Sequence, residues 1–276
     1  IINVTGNIMG IFVLHAGVAG VAVPTLVSRA VAALIMASMV FRKENEISVS
    51  WKRLLHWNSV QAVNILKIAV PNGIENGLFA LGKVLVTSIV ALFGTSQIAA
   101  NGVANSVNQI AILVVSAINL AIIPIAGQCI GAGEYDQAVY YTKKLMKVSY
   151  ISTGLLSLLV AVILPFVLNF YELTPETRTL SIQLIMAHNI MAFALHPTSF
   201  NLANSLRASG DVKITMYIGT CSMLVFRLGT AMLFGVGLGL GIYGVWAAMG
   251  MDWLARSIAF LLRWKRGKWR QIQVIA

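Results

Sequence analysis

A single carboxylate, Glu75, interrupts a long apolar stretch that runs from Lys67 to Gly94. The stretch exceeds the roughly 20 apolar residues that a helix needs to cross a bilayer. An ionisable side chain at membrane depth is costly and marks a functional site by default. Pro71 precedes Glu75 by one helical turn, where a missing N–H bends a helix and frees a carbonyl oxygen. We therefore predict that Glu75 takes part in ion coupling, with a structural hydrogen bond to a neighbouring helix as the alternative.

Amide and imidazole side chains form a second group of candidates. Asn101, Asn105 and Asn108 are spaced four and three residues apart, so they share one helix face. Such a face either joins helices by hydrogen bonds or lines a hydrated cavity, and both interpretations stay open. His196 directly precedes Pro197, and its side chain suits a hydrogen bond to the backbone carbonyl that the proline leaves without a donor. The candidates for a substrate cavity are Asn101, Asn105, Asn108, Gln183, His188, Asn189 and Arg227.

The remaining charges inside apolar stretches have structural explanations. Asp252 and Arg256 are four residues apart, which predicts an ion pair on one helix face. Arg29 and Arg227 have no evident partner nearby in the sequence, so we predict hydrogen bonds to backbone carbonyls inside the bundle. Lys83 lies about 12 Å along the helix from Glu75, at a rise of 1.5 Å per residue, and cannot pair with it directly.

Composition places these residues in a chain that spans a membrane. Apolar residues make up 58% of the 276 positions and charged residues only 11%. Apolar runs of near-spanning length recur, which predicts an all-α polytopic membrane protein. The net charge of +11 suggests nucleic acid at first, but Lys and Arg fall in alternate loops, as in membrane proteins. Cys129 and Cys221 lie in apolar helical contexts, which favours buried free thiols over a disulfide, and their spacing fits no metal site.

Eight membrane-spanning helices are predicted, and the basic loops orient them. Their approximate ranges are 1–15, 21–41, 67–94, 97–130, 148–170, 179–206, 214–236 and 240–263. The outer loops 94–97, 171–176 and 235–240 contain no Lys or Arg, whereas every loop assigned to the inside does. The positive-inside bias therefore predicts a cytoplasmic C-terminus in the plasma membrane.

A weak internal repeat links the first two spans to the last two. Gly17 and Gly20 precede the second span with the same spacing that Gly241 and Gly244 show before the last. This register sets Asn3 opposite Arg227. Transporters are often built from repeated helical bundles. The predicted parts are the last two helices of an N-terminal lobe (1–41), a cytoplasmic linker with an interfacial helix (42–66), a complete six-helix lobe (67–264) and a basic cytoplasmic tail (265–276). A plain solvated linker is the alternative for 42–66.

Four motifs resemble those of the multidrug and toxic compound extrusion (MATE) transporters: GTSQIAANGVANSVNQ, GQCIGAGEYDQA, NSLRASGDVK and GVWAAMGMDWLARS. The resemblance covers essentially the whole chain. It implies twelve helices in two six-helix lobes, of which this chain would hold helices five to twelve, with the preceding helices missing. It also implies coupling to Na⁺ or H⁺, with no other cofactor.

The same resemblance implies positions for ion coupling. In some members the fifth helix carries an Asn and, four residues later, an Asp; these positions match Asn3 and Asn7, so the carboxylate is absent here. Other members use a Glu on the seventh helix with an acidic residue on the tenth. Glu75 lies on the matching seventh helix, nearer its proline, but residues 179–206 contain no Asp or Glu.

The expected function is a secondary antiporter that exports amphipathic, often cationic, solutes in exchange for Na⁺ or H⁺ by alternating access. The alternative is a lipid-linked saccharide flippase of the same superfamily, because Arg29, Lys83 and Arg227 suit an anionic head group. An enzyme is disfavoured, since no HExxH motif occurs and the glycine turn at 131–133 is not followed by GK[ST]. The expected partners are small amphipathic solutes, the coupling cation, the lipid bilayer and the missing N-terminal helices, but not nucleic acid.

Overall fold

The computed structural model describes residues 1–42 and 58–272, and the regular structure in these ranges is entirely helical. The chain divides into two compact units, Ile1–Asn64 and Ile65–Ala276. The predicted all-α polytopic membrane fold is therefore confirmed. The interfacial helix predicted in the linker falls on residues 43–57, which lie outside the described ranges.

Nine α-helices and a short 3₁₀ helix make up the described ranges. In the first unit, α1 covers Ile2–Ile8 and continues as π-helical turns over Met9–Val13, and α2 covers Ala19–Val40. Helix α3 covers Ser59–Ala91, α4 Thr95–Ala111, α5 Leu113–Gly131, α6 Tyr135–Leu168 and α7 Pro175–Ala208. Helix α8 covers Val212–Cys221 and continues as π-helical turns over Ser222–Gly229 and Met232–Gly237, α9 covers Gly241–Lys265, and the 3₁₀ helix covers Lys268–Gln271.

Seven helices in the described ranges are long and apolar enough to cross a membrane. The first predicted span corresponds to the shorter apolar helix Ile2–Val13.

The third predicted span begins at Ser59 rather than at residue 67, because the Asn58 side chain caps the N–H groups of Val60 (3.1 Å) and Gln61 (3.2 Å). The fourth was wrongly predicted as one helix, since a break at Ile112 divides it into α4 and α5, although neither Gly nor Pro stands there.

Helix α7 lies at the centre of the second unit and contacts α4, α5, α6 and α9. Its buried polar side chains join it to these neighbours. Ser199 shares a 2.8 Å hydrogen bond with Ser257 of α9, and Ser205 shares one of 3.1 Å with Thr142 of α6. Where water is absent, such interhelical hydrogen bonds hold helices in a fixed register. Helix α7 therefore provides a rigid support for the charged side chains at its end.

The internal repeat is visible in the backbone. Left-handed conformations occur at His15 (φ 47°) and Gly17 (φ 55°), and again 224 residues later at Gly239 (φ 69°) and Gly241 (φ 57°). The hydrogen bonds that end the π-helical turns repeat with the same offset. They are Leu14 N–H to Met9 O (2.9 Å) and Ala16 N–H to Gly10 O (3.0 Å), then Leu238 N–H to Leu233 O (2.8 Å) and Leu240 N–H to Phe234 O (3.1 Å). The predicted register is thus confirmed.

Two predictions of burial are wrong. Cys129 and Cys221 are both free, as predicted, but Cys221 lies on the surface of its unit and Cys129 is only half-buried. Arg29 likewise lies on the exposed face of α2 rather than inside a bundle. In both cases the reason is that a membrane helix is apolar on its outer face as well as its inner face, so an apolar context does not distinguish the two.

Candidate functional site

Glu75 lies on α3 and forms an ion pair with Arg207 at the end of α7. The Nη2 group of Arg207 donates to Oε1 of Glu75 over 2.6 Å. Glu75 is only 8% exposed, and its second carboxylate oxygen, Oε2, has no partner among the described residues. A half-satisfied carboxylate in a buried position is costly and therefore well suited to bind another cationic group.

A chain of hydrogen bonds extends from this ion pair across the unit. Arg207 donates through Nη1 to the side-chain oxygen of Asn204 over 2.5 Å. The amide of Asn204 then donates to the backbone oxygen of Asn119 on α5 over 3.0 Å and to its side-chain oxygen over 3.1 Å. Helices α3, α7 and α5 are therefore linked through one guanidinium group.

The space around Glu75 depends on a glycine of α8. A Cβ atom at Gly219 would overlap Oε1 of Glu75, so the carboxylate would have to shift to accommodate any other residue. A cavity of about 140 Å³ opens beside the carboxylate. Its lining includes Glu75, Asn76, Phe79, Phe200, Arg207 and Arg256.

A second charged cluster surrounds Asp252, which is completely buried. Its Oδ1 accepts from Nε of Arg256 over 2.8 Å and from the Ser222 hydroxyl over 2.5 Å. The structure thus confirms the predicted ion pair of Asp252 with Arg256. Arg227, for which hydrogen bonds to backbone carbonyls were predicted, instead lies with Nη1 3.9 Å from Oδ2 of Asp252. The register of α8 against α9 brings this carboxylate to it, which local sequence does not reveal.

Phe79 connects the two charged clusters. The guanidinium of Arg256 lies 5.0 Å from the centre of the Phe79 ring, and Nζ of Lys83 lies 5.1 Å from it. Both distances fit cation–π contacts. Arg256 also donates to the backbone oxygen of Gly219 over 2.9 Å, beside Glu75. Arg256 therefore contacts residues that lie beside Glu75 as well as Asp252.

A separate cavity of about 240 Å³ brings three of the predicted site residues together. Asn101 and Asn105 of α4 and Arg227 of α8 line it, with Lys83 of α3 beside them. Trp246 of α9 fixes the amide of Asn101, since its indole N–H donates to Oδ1 over 3.1 Å. Polar side chains converging on one partly apolar cavity are typical of a small-molecule site.

The other predicted cavity residues lie elsewhere in the unit. Asn108 is buried, and neither of its amide atoms has a partner in the described ranges. It is not among the residues that line the cavity of Asn101. Gln183 accepts from the hydroxyl of Tyr243 and lines a different cavity, of about 630 Å³. Asn189 is buried and donates to the backbone oxygen of Ser157 over 3.3 Å.

The two histidines of α7 are part of an aromatic cluster. The ring of His188 lies 6.0 Å from Trp246 and 5.4 Å from Trp253. His196 stacks on Phe200 at 4.4 Å and contacts Trp253 edge-on at 5.0 Å. Both histidines are buried. Their contacts are those of packed core residues.

In the first unit, Asn3 and Asn7 of α1 contact each other. The Asn7 amide donates to Oδ1 of Asn3 over 3.1 Å, and Asn3 donates to Thr25 of α2 over 2.9 Å. The described residues contain no group of three or more His, Cys, Asp and Glu side chains that could hold a metal ion. The hydrogen bonds of Asn3 and Asn7 form an amide network between α1 and α2.

Sequence reasoning missed Arg207 as the partner of Glu75. Arg207 lies just beyond the predicted span 179–206, and it is 132 positions from Glu75 in the sequence. One signal was present: a carboxylate in an apolar helix requires a cation, and Lys83 on the same helix is too far away to supply it.

The comparisons with known proteins agree with this architecture. Residues 71–233 match the family MatE. The uncharacterized transporter YisQ of Bacillus subtilis is 29% identical and covers 98% of this chain, and the probable multidrug resistance protein NorM of Thermotoga maritima is 25% identical and covers 94%. The chain spans 60% of the former and 55% of the latter. The outward-facing structure of a multidrug resistance MATE transporter of the MOP superfamily superposes with a TM-score of 0.86 at 17% identity, covering 98% of this chain and 61% of that one.

Proposed function

This chain belongs to the MatE family, and on that premise we propose that it forms part of a secondary antiporter that exports amphipathic, often cationic, solutes. The family consists of transporters rather than enzymes, and the chain is a multi-pass membrane protein. The observation that carries the proposal is Glu75, a buried carboxylate with one oxygen held by Arg207 and the other without a partner among residues 1–42 and 58–272.

The proposed coupling step is an exchange of partners at Glu75. In the present arrangement Arg207 neutralises the carboxylate at 2.6 Å. A proton or Na⁺ that binds Glu75 competes with Arg207 for the same charge. Release of Arg207 frees its link to Asn204 and Asn119, so that α3 moves independently of α7 and α5. Because ion and solute then favour different conformations, each weakens the binding of the other.

The solute site in this proposal is the cavity of about 240 Å³ lined by Asn101, Asn105 and Arg227. Trp246 and Met249 supply its apolar surface, and the amides supply hydrogen bonds that suit amphipathic molecules. Phe79 and Arg256 line the cavity beside Glu75, and Phe79 also contacts Lys83, which lines the proposed solute cavity. Residues 42–66 act as the connector about which the lobes move.

A flippase for lipid-linked saccharides is the second candidate, and one observation favours it. Lys83 and Arg227 both line the cavity of about 240 Å³, whereas no Asp or Glu lines it among the described residues. Such a lining attracts an anionic head group more readily than a cationic drug. Asp252 offsets the charge of Arg227 from outside the cavity, which keeps the cationic solute compatible with the site.

The test uses the full-length transporter reconstituted in vesicles with imposed Na⁺ or proton gradients. We expect efflux of a fluorescent organic cation to follow one gradient in the wild type and to lose that dependence in Glu75→Gln. Glu176→Gln is the matched control, because it removes an exposed carboxylate in the first turn of α7. Unchanged coupled efflux in Glu75→Gln would remove Glu75 from the mechanism, and retention of the dye under both gradients would remove the export function.

The same vesicles separate the two candidates. If the flippase is correct, a fluorescent lipid with an anionic saccharide head group changes leaflet in the wild type and does so more slowly in Lys83→Gln. If the antiporter is correct, Lys83→Gln leaves cation efflux unchanged or raises it, because a positive charge has left the cavity. Efflux of the cation together with no movement of the lipid supports the antiporter.

The C-terminus is proposed to lie in the cytoplasm because Lys265, Arg266 and Lys268 cluster at the end of α9. Lys268 is exposed and provides a labelling position. In spheroplasts, a cysteine at position 268 reacts with an impermeant maleimide only after the membrane is opened. Reaction in intact spheroplasts would reverse the orientation.

A further inference from the structure

A large groove outside the proposed transport site lies at one end of the bundle. It has a volume of about 720 Å³ and is bounded by the first turns of α6, the end of α9 and the 3₁₀ helix. Most of its lining is apolar, including Val139, Met146, Leu202 and Leu261. None of the residues that line this groove lines the cavity beside Glu75 or the cavity of Asn101 and Arg227.

The end of the chain folds back to build one wall of this groove. Gly267 adopts a left-handed conformation (φ 68°), which turns the 3₁₀ helix against the bundle. Trp269 is 1% exposed and stacks on Trp264 with ring centres 4.4 Å apart. Its indole N–H donates to the backbone oxygen of Trp264 over 3.2 Å. The wall is therefore a fixed part of the fold.

The rim of the groove is cationic. Lys143, Lys265 and Arg270 are all exposed and border the apolar lining. Arg270 pairs with Asp136 over 3.2 Å, whereas neither lysine forms an ion pair with any described residue. Two unpaired lysines therefore stand beside an apolar groove in a membrane helix bundle.

We propose that this groove binds an anionic phospholipid, with acyl chains along the apolar wall and the phosphate between Lys143 and Lys265. Three observations support this occupant. Trp264 and Trp269 are of the residue type that concentrates at headgroup level. Basic pockets between spanning helices bind anionic head groups. The charge of the rim disfavours the choline of a zwitterionic lipid, so the groove selects for a net negative head group.

The bound lipid would connect elements that are distant in sequence. Its phosphate bridges α6 through Lys143 and α9 through Lys265, and its chains contact Leu202 of α7. These helices also carry part of the hydrogen-bond network that supports α7. The groove is therefore a site where membrane composition changes the stability of the bundle.

The test is native mass spectrometry of the purified full-length transporter titrated with dioleoyl phosphatidylglycerol or dioleoyl phosphatidylcholine. We expect tighter binding of phosphatidylglycerol by the wild type. Each lysine near a membrane surface contributes about a fivefold preference for anionic lipid, so Lys143→Gln with Lys265→Gln should lower that preference about 25-fold. The matched control is Lys147→Gln with Lys268→Gln, which removes two exposed charges, one from α6 and one from the 3₁₀ helix, that do not line the groove.

Three outcomes would overturn the proposal: equal binding of the two lipids, an equal loss in the control variant, or displacement of phosphatidylglycerol by an equal concentration of inorganic phosphate. The last would identify a simple anion site. A second variant, Leu261→Trp, fills the groove without changing charge and should also weaken phosphatidylglycerol binding. Thermal unfolding of every variant in lipid-free detergent checks that each one folds, and unchanged lipid binding by a folded Leu261→Trp would exclude acyl chains from the groove.

Discussion

The first helix pair of the chain, α1–α2, and the last, α8–α9, have the same backbone design but different chemistry. Both contain π-helical turns followed by two left-handed residues, at 15 and 17 in one and at 239 and 241 in the other. Both also bring two glycine backbones together, Gly10 against Gly20 and Gly235 against Gly244. The repeat is therefore set by backbone sterics.

The side chains between the paired helices differ at equivalent positions. Asn3 and Ser28 face each other at 3.5 Å in the first pair. With the same offset of 224 residues, Arg227 and Asp252 face each other at 3.9 Å in the second. A neutral polar contact thus corresponds to an ionic one. The same backbone arrangement therefore accommodates either a neutral hydrogen bond or an ion pair between the two helices, and the buried charge is concentrated in the second unit.

The largest expected effect comes from removing the buried charge of the second pair. Asp252→Asn leaves Arg256 and Arg227 without their carboxylate in a fully buried position. Breaking a buried ion pair from one side costs about 3 to 5 kcal/mol, so we expect a loss of about 3 kcal/mol in unfolding free energy. Thermal unfolding in detergent measures this.

Ser28→Ala is the equivalent change in the first pair and serves as the control. Ser28 is uncharged, and its hydroxyl donates to the backbone oxygen of Thr25 in its own helix over 3.0 Å. Its removal should cost less than about 1 kcal/mol. Equal losses in the two variants would contradict the assignment of ionic chemistry to the second pair alone.

The next effect tests the shared backbone. A Cβ atom at Gly20 would meet the backbone of Gly10, and one at Gly244 would meet the backbone of residues 234 and 235. Gly20→Ala and Gly244→Ala should therefore each cost about 1 to 3 kcal/mol through overpacking. Gly102→Ala, which meets nothing within 4 Å, should be neutral or stabilising in the same unfolding measurement. A large loss at Gly244 with none at Gly20 would show that the two contacts are not equivalent.

The sequence contained much of this architecture. Hydropathy predicted a polytopic helical membrane protein, the i,i+4 spacing predicted the contact between Asp252 and Arg256, and two glycine pairs predicted the repeat. These signals are local or periodic, so one sequence suffices to read them. Asn58 is of a residue type that favours the N-cap of a helix, so the start of α3 could also be predicted from the sequence. The break at Ile112 could not, because neither Gly nor Pro stands there.

The contacts that define the candidate site were not predictable in the same way. Glu75 of α3 and Arg207 of α7 are 132 positions apart in the sequence, and no local spacing or periodicity predicts their ion pair. Asn108 was assigned to the cavity of Asn101 from helical spacing alone, yet it is buried away from that cavity. Spacing identifies a helix face but does not say which neighbour covers it.

A smaller effect is expected from the neutral contact of the first pair. Asn3→Ala removes the hydrogen bonds to Thr25 and Asn7, at 2.9 and 3.1 Å, and should lower the unfolding free energy by about 1 kcal/mol. Ser38→Ala is the control, because Ser38 donates only to Ile35 O of its own helix. A loss near 3 kcal/mol for Asn3→Ala would mean that the amide network is as important as the ionic one.

The smallest expected effect concerns a left-handed position at which the second turn carries glycine and the first does not. His15 adopts φ 47°, where its equivalent Gly239 adopts φ 69°. A side chain in the left-handed region costs about 1 to 2 kcal/mol, whereas glycine adds about 0.5 to 1 kcal/mol of unfolded-state entropy. His15→Gly should therefore stabilise the first unit by about 0.5 kcal/mol. Gly239→Ala, the reverse change in the second unit, should destabilise it by about 1 kcal/mol, because nothing but the backbone angle opposes the added Cβ. Thermal unfolding of both variants measures the signs, and a loss of stability in His15→Gly would show that the imidazole makes a stabilising contact that the glycine turn of the second unit does without.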